Sequence, residues 1–111
     1  MNKTTIINKN RDFKRVYVRG KSLVSPCLVT YVMKNRCGET RVGITTSKKT
    51  GNAVHRNRAR RVIRAAFGVL REKTEKGFDM VFVARAKTGF VKMQVVLKDM
   101  EFQLKKLGVL K

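Results

Sequence analysis

The sequence predicts an α/β protein of the α+β type, a single-domain sandwich in which helices pack on a small mixed sheet. Two observations predict it: apolar residues at helical spacing alternate along the chain with β-branched runs, and 42% of the 111 residues are hydrophobic, enough for a core. The predicted order is α-β-β-α-β-α. A chain of this length suits one domain, 1–111, because no linker or internal repeat divides it.

The first predicted element is a short amphipathic helix over 10–19. Phe13, Val16 and Tyr17 fall at i, i+3 and i+4, which places them on one helix face. Gly20 supplies a C-terminal stop.

Two strands are predicted next. The run 27–33 is rich in β-branched and aromatic residues, 35–38 supplies turn residues, and 41–46 forms the second strand. We expect these two strands to pair as a hairpin. A further short strand around Leu23 is an alternative that the pattern leaves open.

The second half contains a long helix, a strand and a final helix. The long helix is expected over 52–71, and the apolar run 80–84 suits an interior strand buried on both faces. The last helix is predicted from one apolar stripe at spacings of three and four: Met93, Val96, Leu97, Met100, Leu104 and Leu107.

The charge points to a polyanionic partner. Lys and Arg number 27 against 7 Asp and Glu, which gives a net charge of +20. Self-repulsion of that size destabilises a compact protein unless a polyanion neutralises it, so nucleic acid is the expected partner. No apolar run reaches the roughly 20 residues of a membrane span, and no secretory signal is recognisable, so a cytoplasmic protein is expected.

The long helix separates an apolar arc from a cationic one. At 100° per residue the apolar arc holds Ala59, Val62, Ile63, Ala66 and Leu70. The opposite arc and its flanks hold Arg56, Asn57, Arg60, Arg61, Arg64 and Arg71. No acidic residue occurs within 52–71, whereas a merely solvated helix face usually mixes the two signs. This pattern favours phosphate binding by guanidinium groups.

The segment before the long helix adds to this surface. Lys48 and Lys49 precede Gly51 and Asn52, so two cations and free backbone N–H groups meet where the helix dipole also favours anions.

Four segments resemble the protein subunit of bacterial ribonuclease P. The stretch 48–64, KKTGNAVHRNRARRVIR, contains the K-x-G-N-A-V-x-R-N-R signature that opens the basic helix of that family. The other three are 12–22 (DFKRVYVRGKS), 41–45 (RVGIT) and 77–81 (GFDMV). The resemblance therefore extends over nearly the whole chain.

The resemblance implies a ribonucleoprotein that removes the 5′ leader from precursor tRNA. In it the RNA subunit is the catalyst and the protein assists substrate and Mg²⁺ binding, with no cofactor of its own and no obligate protein partner. The family also implies a left-handed β-α-β crossover between the 41–46 strand and the 80–84 strand, although general topology rules favour the opposite hand.

Two groups of residues take roles by this resemblance. Those expected to contact the catalytic RNA are Lys48, Lys49, Asn52, Arg56, Asn57, Arg58, Arg60, Arg61 and Arg64. Those expected to line a cleft for the single-stranded leader are Phe13, Tyr17 and Tyr31, whose rings could stack on bases. Taken without the resemblance, Phe13 and Tyr17 read more simply as core residues of a packed helix.

The sequence offers no protein active site of its own. His55 is the only histidine, so it has no second histidine for acid-base work, and the seven acidic residues are scattered along the chain. Cys27 and Cys37 are interpreted as free thiols, because two cysteines and one histidine do not make a zinc site. We therefore predict no catalytic and no metal-ligating residue in the protein.

Three other classes of protein compete with this interpretation. A structural RNA-binding protein of ribosomal type fits the composition equally well. An RNA-recognition module would need an aromatic strand at 76–82, where Met80 stands in place of a stacking ring. A DNA architectural protein could place the basic helix in a major groove.

Overall fold

The computed structural model describes residues 4–111 as one five-stranded sheet with three α-helices packed on it. The helices are α1 (Asn10–Arg19), α2 (Ala53–Leu70) and α3 (Met93–Lys106). The strands are β1 (Thr4–Ile6), β2 (Lys21–Ser25), β3 (Leu28–Lys34), β4 (Thr40–Thr45) and β5 (Phe78–Ala84). All three predicted helices are therefore confirmed.

The sheet is mixed, with the order β1-β4-β5-β3-β2. β4 lies between β1 and β5 and is parallel to both, whereas β3 is antiparallel to β5 and to β2. The apolar strand β5 is thus central, as its composition predicted. The chain runs from β4 through α2 to β5, so α2 lies in the connection between two neighbouring parallel strands.

The predicted hairpin between the 27–33 and 41–46 strands is wrong. β5 inserts between β3 and β4 and pairs with both of them, so the turn residues 35–38 join strands that are not neighbours. A strand with apolar residues on both faces needs a neighbour on each edge and a layer on each side, which an outer strand lacks. The hairpin of this sheet is instead β2–β3, closed at Ser25 and Leu28.

Two strands near the N-terminus differ from the predicted order. The short strand around Leu23 exists as β2. β1 was not predicted, because its three residues, Thr4–Ile6, are too few to show alternation. The observed order is therefore β-α-β-β-β-α-β-α.

The two faces of the sheet carry separate apolar clusters. α2 and α3 cover one face, where Phe82 and Met80 pack against Ile63, Met100 and Leu104. The stripe that predicted α3 lies on its buried or half-buried side. α1 covers the other face, where a smaller cluster is built around three buried residues: Ile7, Val16 and Val81.

An ionic bridge holds α1 on the sheet. Arg41 on β4 donates to Asp79 on β5 at 3.2 Å and to Asp12 on α1 at 3.1 Å. Asp12 also accepts from Arg15, and Asp79 from the amide of Asn35. Both carboxylates are buried, so each is stabilised by charged or amide donors in place of water.

A close approach places the start of α1 over β4. A Cβ atom at Gly43 would lie 2.6 Å from Cε1 of Phe13. The Phe13 ring therefore rests directly on the β4 backbone, which explains a glycine in the middle of a β-branched strand.

Arg41→Met is expected to lower the free energy of unfolding by an amount near the lower end of the range of about 3 to 5 kcal/mol. The reason is that the substitution leaves buried Asp79 and Asp12 with fewer partners. The measurement is the free energy of unfolding in urea. Arg11→Met on the exposed side of α1 is the matched control and should change that free energy by less than about 0.5 kcal/mol. Equal effects of the two substitutions would contradict the bridge.

Candidate nucleic-acid interface

The loop before α2 is ordered by local hydrogen bonds. Ser47 and Thr50 form a reciprocal capping box around the short 3-10 turn Lys48–Thr50. Asn52 caps α2 by accepting from the backbone N–H of His55 at 3.0 Å. Arg56 donates to the Gly51 carbonyl at 3.0 Å. This leaves the side chains of Lys48 and Lys49 exposed at the start of the helix.

The outward side of α2 is cationic, and no carboxylate among residues 4–111 forms an ion pair with it. Asn57, Arg61 and Arg64 are exposed, and Arg60 is half-buried. Within residues 4–111, the ion pairs link Asp12 and Asp79 to Arg15 and Arg41, so none involves the arginines between 56 and 64. The predicted apolar arc is fully buried, together with Phe67, which the sequence analysis had not assigned.

Arg58 differs from the other arginines of α2. Its Nε donates to the Gly89 carbonyl at 3.0 Å, and its Nη2 donates to the Val91 carbonyl at 3.0 Å. These bonds fasten the β5–α3 connection to α2. Gly89 makes this contact possible, because a Cβ atom there would lie 2.7 Å from the His55 carbonyl oxygen. Arg58 therefore has a structural role that the sequence did not reveal.

The same connection places an aromatic ring beside the start of α2. The rings of His55 and Phe90 lie 4.2 Å apart between centroids, tilted by 34°. Phe90 remains 64% exposed. An exposed ring packed against a histidine next to Lys48 and Lys49 adds a surface on which a base could stack.

Arg60 and Arg64 border a groove between α2 and the β1–β4 edge of the sheet. Its volume is about 420 Å³, and its apolar floor includes Val42, Ile44 and Phe67. Cations above an apolar floor can receive a phosphate and a base together.

The three aromatic residues assigned to the leader cleft do converge. Tyr17 packs edge-on against Tyr31 with centroids 4.9 Å apart, and it stacks with Phe13 at 6.4 Å. Tyr17 is 39% exposed, whereas Phe13 and Tyr31 are half-buried. The Tyr17 hydroxyl donates to Oγ1 of Thr45 at 3.4 Å. Phe13 thus contributes to the core as well, while Tyr17 presents its ring to solvent.

The sheet provides a floor beside these rings. Thr45, Val83 and Val29 are neighbours across β4, β5 and β3 on the face that α1 covers, and all three are half-buried. We call the surface formed by Phe13, Tyr17, Tyr31 and this row the aromatic cleft. Thr45 was missed because a threonine in a strand has no distinguishing signal.

The possible metal ligands do not gather at one place in the part of the chain that the structure describes. Residues 4–111 contain no group of three His, Cys, Asp or Glu side chains that could hold a metal ion. The buried carboxylates Asp12 and Asp79 are engaged by arginines, and His55 packs on Phe90. Within the same residues, no helix is long and apolar enough to cross a membrane.

These features define a small basic α+β protein of the RNA-binding class, with a cationic helix on one face of the sheet and an aromatic cleft on the other. The ribonuclease P family model matches residues 1–108. The ribonuclease P protein component of Clostridioides difficile is 40% identical over 107 residues, which cover 96% of this chain and 90% of the relative.

Solved structures agree with the sequence relatives. The ribonuclease P protein of Staphylococcus aureus superposes with a TM-score of 0.86 at 34% identity, covering 98% of this chain and 100% of that one. The protein from Thermotoga maritima gives 0.76 at 30% identity, with 91% and 93% covered. The chain belongs to the ribonuclease P protein family.

Membership makes the chain a protein subunit of a tRNA-processing ribonucleoprotein nuclease, whose partner is the ribonuclease P RNA. It decides against the ribosomal, RNA-recognition and DNA architectural alternatives.

Arg58→Ala and Arg64→Ala should have different effects. Loss of the Arg58 hydrogen bonds is expected to lower the free energy of unfolding by on the order of 1.5 to 3 kcal/mol. Arg64→Ala should change it by less than about 0.5 kcal/mol. If Arg64 contacts a phosphate, its removal should also flatten the slope of log K against log salt for RNA binding by about one. An unchanged slope would remove Arg64 from the interface.

Proposed function

We propose that the protein binds the catalytic RNA through α2 and the preceding loop, and the 5′ leader of precursor tRNA through the aromatic cleft. The observation that carries the proposal is the arrangement of these two surfaces. They lie on opposite faces of one sheet, so a single rigid body can contact both RNAs at once. The protein thereby positions the substrate on the RNA that cleaves it.

The cationic surface suits a folded RNA. Five side chains present planar guanidinium and amide groups over about two turns of a helix that is held rigidly by its buried side: Arg56, Asn57, Arg60, Arg61 and Arg64. The residues at its N-terminus extend this surface: Lys48, Lys49 and Asn52. Arg58 contributes by holding the β5–α3 connection in place.

The aromatic cleft suits an unpaired strand. Stacking on tyrosine requires only the face of a base, so a ring such as Tyr17 accepts leaders of any sequence. The half-buried row Thr45, Val83 and Val29 provides width for bases, and the bases of an unpaired strand are free to turn toward these rings.

The chemistry of cleavage belongs to the RNA subunit. Within residues 4–111, Asp12 and Asp79 are bound by arginines, and the carboxylates do not converge on a metal site. Mg²⁺ is therefore expected to be held in the holoenzyme mainly by RNA phosphates, which are hard oxygen ligands. The protein lowers the repulsion between two polyanions. We further propose that it acts in the cytoplasm and without an obligate protein partner.

Tyr17→Ala should weaken binding of leader-bearing precursor relative to mature tRNA by about 1 to 3 kcal/mol for one lost stacked base. The measurement is the affinity of the reconstituted holoenzyme for the two substrates at matched salt. Tyr17→Phe is the control, because it keeps the ring and removes only the hydrogen bond to Thr45. Equal losses for precursor and mature tRNA would exclude leader binding in this cleft.

RNA that copurifies with the protein at low salt is expected to cleave precursor tRNA in Mg²⁺ after the protein has been removed. The reason is that the protein supplies charge and position rather than reacting groups. Cleavage is measured on a precursor labelled at its 5′ end. Activity that follows the protein fraction after complete RNA digestion would refute the assignment of catalysis to RNA.

A further inference from the structure

A second groove runs along α1 on the side away from the aromatic cleft. It lies between α1, the end of β3 and the β3–β4 loop, and its volume is about 680 Å³. We call it the cationic groove and define it by six of its lining residues: Arg15, Arg19, Lys34, Arg36, Cys37 and Arg41.

Helix α1 separates the cationic groove from the aromatic cleft. Val16 points into the sheet and is fully buried. At 100° per residue, Phe13 and Tyr17 project to one side of Val16, and Arg15 and Arg19 project to the other. α1 therefore divides this face of the molecule into an aromatic half and a cationic half.

The cationic groove has more positive charge than the neighbouring carboxylates neutralise. Arg41 and Arg15 are used in the bridge to Asp12 and Asp79. In the described part of the chain, no acidic side chain pairs with the other three cations of the groove: Arg19, Lys34 and Arg36. The nearby Glu39 instead accepts from Thr5 at 3.2 Å, on β1. Five cations against two carboxylates leave an excess of three charges in one concave surface.

We propose that the cationic groove binds the phosphodiester backbone of RNA, as a contact separate from α2 and from the aromatic cleft. The inference rests on the proposed function only in taking an RNA as the partner. Its source is either the catalytic RNA or the precursor, since both present the same phosphate chemistry.

The shape of the groove favours a chain of phosphates over a single small anion. Arg15 and Arg19 lie one turn apart on α1, about 6 Å along the helix axis. Lys34 ends β3, and Arg36 lies in the β3–β4 loop. The donors are thus spread along the groove rather than directed at one point. Four of the eight lining residues are arginines, whose planar fork matches phosphate oxygens.

A natural thiol makes the groove directly testable. Cys37 lines the groove and is exposed, whereas Cys27 is buried. Burial first, and the Asp99 carboxylate second, raise the pKa of the Cys27 thiol above its ordinary value, which lowers its reactivity further. An aryl azide that carries an α-halo carbonyl group, whose halide the Cys37 thiolate displaces, should therefore label Cys37 selectively in the native protein. Cys37→Ser provides the unlabelled control.

The experiment is photocrosslinking of the labelled protein in the reconstituted holoenzyme with precursor tRNA, followed by mapping of the crosslinked nucleotides. A crosslink to the catalytic RNA would identify the groove as an assembly contact. A crosslink to the precursor would identify it as a substrate contact. Either result supports the proposal, provided that it depends on the groove's cations.

That dependence is tested with Arg19→Gln/Arg36→Gln. The double variant should lose most of the crosslink and flatten the slope of log K against log salt by about 1.4 to 1.8, for two lost phosphate contacts. Lys98→Gln/Lys105→Gln removes the same charge from exposed positions of α3, across the sheet, and should leave the crosslink yield unchanged.

Three outcomes would overturn the proposal. The first is no RNA crosslink at Cys37, and the second is a crosslink equally strong in Arg19→Gln/Arg36→Gln and in Lys98→Gln/Lys105→Gln. The third is a crosslink that polyglutamate suppresses as efficiently as polyuridylate of equal charge. The last would indicate an acidic protein as the partner. These outcomes are independent of the leader assignment. If Tyr17→Ala weakens binding of precursor and mature tRNA equally while the Cys37 crosslink persists, the leader assignment is refuted and the cationic groove is still supported.

Discussion

The bridge from Arg41 to two buried carboxylates determines how this molecule presents its surfaces. It joins α1 to the two parallel strands in the middle of the sheet, and the Phe13 ring over Gly43 sets the distance between them. With α1 held there, one row of the sheet stays open beside Tyr17, and the cationic groove forms on the other side. Buried acids thus serve the fold, and most arginines and lysines are left for RNA.

The sequence predicts the helices of this fold much better than its strand pairing. α2 and α3 were predicted because each carries a long apolar stripe with one period, and the position of β5 followed from an apolar run that needs cover on both faces. The pairing of β3 with β4 was predicted wrongly, because β5, which follows both of them in the sequence, lies between them in the sheet. Adjacency along the chain does not reveal such an insertion. β1 is too short for its pattern to be recognised.

The candidate site was predictable where helical periodicity and charge define it, and its aromatic part only through the family resemblance. The exposed residues of α2 follow from helical periodicity and the lack of acids, and the aromatic triad follows from the family resemblance. Arg58 looked like its neighbours, yet its partners are carbonyls more than thirty positions away in sequence. Gly43 is itself a sequence signal for the packing of Phe13, since an isolated glycine in a strand often marks a close approach.

The position of β5 between strands that precede it also bears on how the protein is made. The basic helix leaves the ribosome before β5 and α3, the two elements that cover much of its apolar side, have been synthesised. Until residue 84 has emerged, β3 and β4 have no common neighbour and the sheet stays in two pieces. A nascent chain of this protein therefore passes through a stage in which a strongly basic segment, still without its packing partners, lies among the polyanions of the ribosome itself.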